Sequence, residues 1–216
     1  MHMTTRIASA ATLAVLFSVA TATPSPAAGA CSGAETPMAM AAHGQASPVA
    51  QATATAHNRH ASPEQQFIDM MIPHHESIIA LATVALPNLE DTRLREMATA
   101  IVATQEAEIS DLRALRETRF GSAEPGPMSL EMMQDPELDA GAMIASFCSA
   151  PDIDVAFAQA TLSHHQMAVD SSREFLKTSQ DAELRAIAEQ VIAAQNAEIA
   201  VLERFLVEHN GATPAP

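Results

Sequence analysis

The amino-acid sequence predicts an all-α protein, a four-helix bundle built from two repeated αα-hairpins, and three observations support this. Ala, Leu, Ile, Val and Met dominate the 216 residues, with no Trp or Tyr and only seven Gly, which favours closely packed helices over sheets. Apolar residues recur at helical spacing along four long segments. Sliding the chain by 90 residues aligns 67–117 with 157–207 without a gap, and 14 of those 51 positions are identical. Each unit reads as one hairpin that cannot bury its apolar face alone, so two of them are expected to pack into a bundle.

Start and stop signals divide the chain. Ser62 is a helix cap followed by Pro63 at the first helical position, with Gln65 completing a capping box. The bundle is therefore expected over 62–210, with Asn210-Gly211 as its C-terminal stop. Its predicted parts are a first hairpin, a connection that could hold a short Met-rich helix, "MSLEMMQD", and a second hairpin, over 62–120, 121–150 and 151–210.

The N-terminus, residues 1–30, is predicted to be a signal peptide. "MHMTTR" is a short basic region, and the apolar segment 7–20 is 14 residues long, shorter than the roughly 20 residues that span a membrane. Ala20-Thr21-Ala22 and Ala28-Gly29-Ala30 are both suitable cleavage sites. The protein is therefore expected to be exported, to the periplasm or the extracellular space. The less favoured alternative is a lipoprotein of the cell envelope anchored at Cys31, because "AAGAC" faintly resembles a bacterial lipobox.

Residues 31–61 are rich in Ala, Pro, Ser and Thr and are predicted to form a flexible linker. The linker contains scattered soft and imidazole side chains that could capture copper or could equally be ordinary linker residues: Met38, Met40, His43, His57 and His60. The two cysteines, Cys31 and Cys148, could form one disulfide in an oxidising compartment or remain two thiols. Sequence alone leaves both alternatives open.

Charge restricts the partners. The formal net charge is −15, from 26 acidic and 11 basic residues. A surface of this kind repels nucleic acid and anionic lipid and attracts cations. We therefore expect a metal ion as a partner and no nucleic acid. The short apolar segment described above also predicts no membrane span.

Two adjacent histidines interrupt the apolar stripe of the first long helix, and a matching pair interrupts the third. His75 and His165 lie within the stripes, and their neighbours are rotated by about 100° around the helix axis. A Gln and a Glu interrupt the second and fourth helices at matching positions, where a buried carboxylate is costly unless paired or metal-bound. Folding each hairpin brings these groups to mid-bundle depth. The predicted metal ligands, including two nearby methionines, are His74, His75, Met71, Gln105, Glu108, His164, His165, Met167, Gln195 and Glu198.

These side-chain types indicate copper. Met71 lies four residues before His75, on the same helical face. Met167 lies three residues after His164, again on a shared face. Imidazole with thioether suits copper, Cu(I) especially, whereas imidazole with carboxylate suits Zn, Fe or Cu(II). The alternative is that the histidines are core residues hydrogen-bonded to Gln or Glu across each hairpin, but two matched pairs favour metal binding.

Three segments, "MMIPHHESIIALA", "ATAIVATQEAEISDL" and "AEQVIAAQNAEIAVLERFL", resemble the bacterial domain-of-unknown-function family three-hundred-and-five, over about 60–209. The resemblance implies a ferritin-like four-helix bundle, exported in many members, with copper binding and copper tolerance in some. By motif it implies two half-sites, one made of His74, His75, Gln105 and Glu108 and the other of His164, His165, Gln195 and Glu198. The second half departs from the pattern, with "TLSHHQ" in place of "MIPHHE".

The favoured function is therefore an exported metal-binding protein that binds copper for buffering, tolerance or transfer. The alternative is a metal-free helical interaction module. A ferritin-like di-metal oxidase is disfavoured because such sites use Glu-x-x-His, and no histidine of this chain has Glu three residues before it. No enzymatic activity is predicted, and both a copper-handling protein partner and a homo-oligomer stay open.

Overall fold

The computed structural model describes Cys31 and residues 61–126 and 135–210. Three predicted segments lie outside these ranges: the signal peptide, linker residues 32–60 with their Met and His side chains, and all of "MSLEMMQD" except its last residue. The helices are α1 (Pro63–Ala85), α2 (Thr92–Phe120), a 3-10 helix (Pro136–Leu138), α3 (Ala140–Ser149), α4 (Ile153–Thr178) and α5 (Ala182–Asn210). No strand occurs in the described ranges, so the predicted all-α bundle of two hairpins is confirmed.

Short polar side chains begin the helices. Ser62 accepts a hydrogen bond from the backbone N–H of Gln65 at 3.2 Å, as the sequence predicts. Asp91 caps α2 and Asp152 caps α4 in the same way. Gly121 ends α2 at a φ of +79°, a left-handed conformation that favours glycine.

The two hairpins meet through α1 and α4, which pack on each other while α2 packs on α1 and α5 packs on α4. The short helix α3 was not predicted at its position. It packs on α1 and α4 and buries Met143 and Phe147 in the core. Two signals for it were present in the sequence, a cap at Asp139 and a stop at Pro151. It therefore adds a fifth helix beside the four of the repeat.

Each hairpin turn is held by an acidic residue from the start of the other hairpin. The Asp154 carboxylate accepts backbone N–H groups of Glu90 and Asp91 at 2.9 and 2.8 Å. Glu64, 90 positions earlier, accepts the Ser179 hydroxyl at 2.5 Å in the opposite turn. Each hairpin therefore holds the turn of the other, through acidic residues that lie 90 positions apart in the sequence.

A disulfide joins Cys31 to Cys148, with Cα atoms 5.6 Å apart across a sequence separation of 117. Both residues pack against the core between the hairpins. The disulfide uses the Cys31 thiol that the lipid-anchor alternative requires. None of the helices within 61–126 and 135–210 is both long enough and apolar enough to cross a bilayer.

Candidate metal centre

The four predicted histidines lie at the middle of the bundle, on the facing helices α1 and α4, and each is 0% exposed. Ring centroids are 5.9 Å apart between His75 and His74. They are 3.6 Å apart between His74 and His164, and 6.0 Å apart between His164 and His165. The four rings therefore form an imidazole row across the interface between the hairpins, with His74 and His164 as the inner pair and His75 and His165 as the outer pair.

The inner pair is joined by reciprocal hydrogen bonds. Nε2 of His74 lies 3.0 Å from the carbonyl oxygen of His164, and Nε2 of His164 lies 2.8 Å from the carbonyl oxygen of His74. A carbonyl oxygen can only accept, so each ring donates from Nε2 and, when neutral, carries its lone pair on Nδ1. The rings also overlap, with 30° between their planes.

The outer pair contacts the predicted glutamates. Nε2 of His75 lies 2.7 Å from Oε2 of Glu108 in a hydrogen bond. Nε2 of His165 also lies 2.7 Å from Oε2 of Glu198, without the alignment of a hydrogen bond. The glutamate side chains are 30% and 23% exposed. Each carboxylate thus links a fully buried imidazole to the solvent.

All four Nδ1 atoms of the imidazole row are buried and have no hydrogen-bond partner within the described residues. A buried polar atom without a partner costs about 1–3 kcal/mol, and a metal ion would give each lone pair a partner. No group of three His, Cys, Asp or Glu side chains in the described part of the chain is already arranged to hold a metal ion. The donor atoms are therefore present in one place, without three of them meeting at a common point.

The environment keeps the inner pair neutral. Burial lowers the pKa of His74 well below its usual value, and repulsion from His75 lowers it further. Burial likewise lowers the pKa of His164, with repulsion from His74 as the next cause. Imidazole must be neutral to coordinate a metal, so at neutral pH the inner pair has the protonation state that coordination would require.

The remaining predicted ligands lie around the row. Gln105 and Gln195 are each 3% exposed, one turn before the glutamates, and Oε1 of both has no partner among the described residues. Met71 is fully buried in an apolar cluster. Met167 is partly exposed and lines a surface cavity of about 470 Å³ with Ser163 and six others. Both methionines thus contact the same apolar cluster, with Met71 buried inside it and Met167 at its edge beside the cavity.

Ser77 was not among the predicted site residues, yet it is 3% exposed on α1 and contacts Nε2 of His164 at 3.0 Å. The only signal in the sequence was its position one turn after His74 on the same helix. Its partner could not be identified without knowing how the hairpins pack.

These observations define a helical-bundle protein with a buried row of four imidazoles. The sequence profile of the family described as Domain of unknown function (DUF305) matches residues 8–116 and 64–206. The chain belongs to this family, which confirms the resemblance noted from its motifs. No curated protein matches the chain.

Solved structures similar to this chain include a DUF305 fragment and metal-bound forms of CopM. CopM in the Cu(II)-bound form is 28% identical with a TM-score of 0.59, covering 67% of this chain and 96% of that one. CopM in the Cu(I)-bound form is 25% identical with a TM-score of 0.58, covering 71% and 100%. A DUF305 fragment from Deinococcus radiodurans is 26% identical with a TM-score of 0.59, covering 68% and 97%.

Proposed function

We propose that this chain is an exported copper-binding protein that carries copper as cargo, for buffering, tolerance or transfer. The observation that carries the proposal is the set of four buried Nδ1 atoms without partners among the described residues. A helical protein that needed the rings only for packing would gain stability from apolar side chains at these positions, because buried polar atoms without partners are costly. Metal coordination gives the rings a use that compensates for this cost.

The chemistry of the donors supports copper. Neutral imidazole is a good ligand for copper, and the thioether of Met167 at the nearby cavity suits Cu(I) in particular. The similar structures support the same metal, since CopM is named in Cu(I)-bound, Cu(II)-bound and Ag-bound forms. Because this chain shares their fold, we propose that it binds the same metal.

In this proposal the imidazole row supplies the principal ligands, through Nδ1 of His74, His75, His164 and His165. Glu108 and Glu198 hold the outer rings through Nε2 and could approach the metal when those rings turn. Met71, Met167, Gln105 and Gln195 are further candidate ligands. Because the imidazoles would have to converge on the ion, we expect copper binding to change amide hydrogen exchange in α1 and α4.

Export is the second part of the proposal. It rests on the predicted signal peptide at 1–30, and the Cys31–Cys148 disulfide supports it, because disulfides persist in oxidising compartments. Fractionation of cells that express the full chain tests it. Recovery of the protein in the cytoplasm with an uncleaved N-terminus would contradict export.

The experiment that tests copper binding is calorimetric titration of the full chain with copper, zinc and manganese. We expect copper to bind most tightly. Joint replacement of His74, His75, His164 and His165 by Ala should abolish the tight phase, whereas His209→Ala should not. His209 is a matched control because it lies at the end of α5 and stacks on Phe205.

Two results would contradict the proposed site. If the quadruple variant is folded and binds copper as tightly as the parent, the imidazole row is not the site, and the linker residues become the candidates. If the parent binds no metal, the metal-free interaction module is the better interpretation.

A further inference from the structure

Ser77 of α1 contacts the inner pair and the connection between the hairpins. Its Oγ lies 2.7 Å from the carbonyl oxygen of His74, one turn earlier on the same helix. It lies 2.9 Å from the carbonyl oxygen of Glu137 in the 3-10 helix, and 3.0 Å from Nε2 of His164. One buried hydroxyl therefore joins both hairpins and the segment between them.

These contacts determine where the protons lie. Both carbonyl oxygens can only accept, so the single hydroxyl hydrogen of Ser77 is donated to one of them. Nε2 of His164, which is also 2.8 Å from the carbonyl oxygen of His74, then carries a hydrogen directed at two oxygen acceptors. The opposite tautomer would set an Nε2 lone pair against that carbonyl. It would also bury an N–H at Nδ1 with no acceptor among the described residues.

We propose that Ser77 is a positioning residue of the metal centre, which holds His164 with its proton on Nε2 and leaves the Nδ1 lone pair to bind the metal. The inference rests on the proposed function and deepens it, because it names the ligating atom and the residue that selects it. Ser77 touches the ligand rather than the metal, and it acts through the orientation and tautomer of the ring.

The other hairpin provides an internal comparison. The residue 90 positions after Ser77 is Met167, whose thioether has no hydrogen to donate. His74 donates from Nε2 to the carbonyl oxygen of His164 at 3.0 Å, without a serine at the matching position. The inner histidines are therefore held unequally, and His164 is the one with its tautomer fixed by a second oxygen.

The test compares Ser77→Ala with Ser77→Thr, which keeps the hydroxyl. The control is Thr83→Ala, which removes from the same helix an exposed hydroxyl bonded only to the carbonyl oxygen of Ile79 among the described residues. Imidazole ¹H–¹⁵N spectra of the metal-free full chain identify the tautomer of His164. Titration with Ag⁺ in chloride-free buffer measures affinity with a redox-inert cation, and thermal unfolding checks each variant.

In the parent we expect the His164 proton on Nε2. Ser77→Ala leaves Nε2 of His164 with one carbonyl acceptor, as Nε2 of His74 has in the parent. Its share of the Nδ1–H tautomer should therefore rise to that of His74, and Ag⁺ binding should weaken by no more than about 10-fold, the equivalent of one hydrogen bond. Ser77→Thr should restore the tautomer and the affinity, and Thr83→Ala should change neither. Ser77→Ala adds no atoms to the core, so its fold should be retained.

Three results would overturn the inference: a parent with the His164 proton on Nδ1, a Ser77→Ala variant with unchanged tautomer, and unchanged affinity despite a changed tautomer. Its failure can be told apart from failure of the proposed function. A parent that binds neither Ag⁺ nor copper refutes the function itself, whereas a parent that binds and is indifferent to Ser77→Ala refutes this inference alone.

Discussion

The two hairpins have similar histidine distances at the centre of the bundle and different residues around them. Their histidine pairs and the Gln and Glu that face them are identical at a spacing of 90 residues. The inner Nε2-to-carbonyl distances are 3.0 and 2.8 Å. The outer histidine-to-glutamate distances are both 2.7 Å. The two hairpins are therefore most alike in residues and distances at the imidazole row.

The two hairpins differ in the residues that surround the imidazole row. In the first hairpin, Asp69 and Arg116 form a buried ion pair, with each residue 5% exposed. The matching residues of the second hairpin are Gln159 and Leu206, which cannot form one. Instead, Gln159 and the thioether of Met167 line the surface cavity. The first hairpin is thus stabilised by a buried ion pair, whereas the second has a partly exposed methionine beside a surface cavity.

The largest expected change in stability comes from removing the ion pair between Asp69 and Arg116, which only the first hairpin can form at these positions. Arg116→Leu copies the second hairpin but leaves the Asp69 carboxylate buried without its cation. We expect a loss of about 3–5 kcal/mol in the free energy of unfolding, the usual cost of removing one partner from a buried ion pair. Urea denaturation of the metal-free protein measures it.

The matched control is the double variant Asp69→Gln with Arg116→Leu, which gives the first hairpin both residues of the second. It should recover most of the lost stability, because no charge remains buried alone. A double variant as unstable as Arg116→Leu would mean that the hydrogen bond from Arg116 to the carbonyl oxygen of Ser122, and not the ion pair, is what matters.

Acidification should destabilise both hairpins alike, because each contributes one inner histidine that is held neutral. The pKa values of His74 and His164 lie well below 6.5 in the folded protein, whereas an unfolded histidine takes up a proton as the pH falls through about 6.5. Below that pH the unfolded state binds more protons. The free energy of unfolding should then fall by up to about 1.4 kcal/mol per histidine for each pH unit.

Urea denaturation between about pH 7.5 and pH 5.5 measures this slope. His74→Gln and His164→Gln should each remove a similar share of it if the two hairpins are electrostatically equivalent. A free energy of unfolding that does not change over this range would contradict the assignment of buried neutral rings.

The parts of this molecule that could be predicted are those encoded along one helix or one hairpin. Helical periodicity, caps such as Ser62 and the 90-residue repeat predict the bundle. The spacing of the first hairpin predicts that its histidines, Gln105 and Glu108 lie at mid-bundle depth, with Gln105 level with His74; in the structure it is Glu108 that contacts His75. Such contacts follow from helix geometry and a turn of known position.

The parts that were missed depend on how the hairpins pack together. The reciprocal bonds of the inner pair end on backbone carbonyls, which no side-chain pattern records. Ser77 looks like an ordinary helical serine until α4 is in place. Helix α3 was missed for a different reason, since its ten residues lie in a connection whose prolines and glycines suggest irregular structure.

Changing the glutamates should weaken metal binding with little effect on folding. Glu108→Gln keeps the shape of the side chain but removes the charge that holds the His75 ring, and partners that orient a metal ligand typically contribute about 10- to 100-fold to affinity. Glu198→Gln should act similarly through His165. Copper titration of both variants measures the effect, with unfolding curves to check the metal-free fold.

Glu106→Gln is the charge-matched control, because Glu106 is exposed two residues away on α2. Equal losses in Glu108→Gln and Glu198→Gln would mean that the half-sites are equivalent despite their different surroundings. Unchanged affinity in both would remove the carboxylates from the centre and leave the histidines alone.

The smallest expected effect distinguishes the two methionines. Met167 lies at a surface cavity and shares a helical face with His164, so an arriving ion can reach its thioether. Met71 is fully buried among apolar side chains, where an ion would have to displace the core. Replacement by Leu keeps the volume of either side chain and should cost less than about 1.5 kcal/mol of stability. We therefore expect Met167→Leu to weaken Ag⁺ and Cu(I) binding a few-fold while Zn²⁺ binding is unchanged, because thioethers favour soft ions. Met71→Leu should change none of these affinities. An equal loss in both variants would mean that the apolar cluster opens when metal binds, and no loss in either would leave imidazole and carboxylate as the donors.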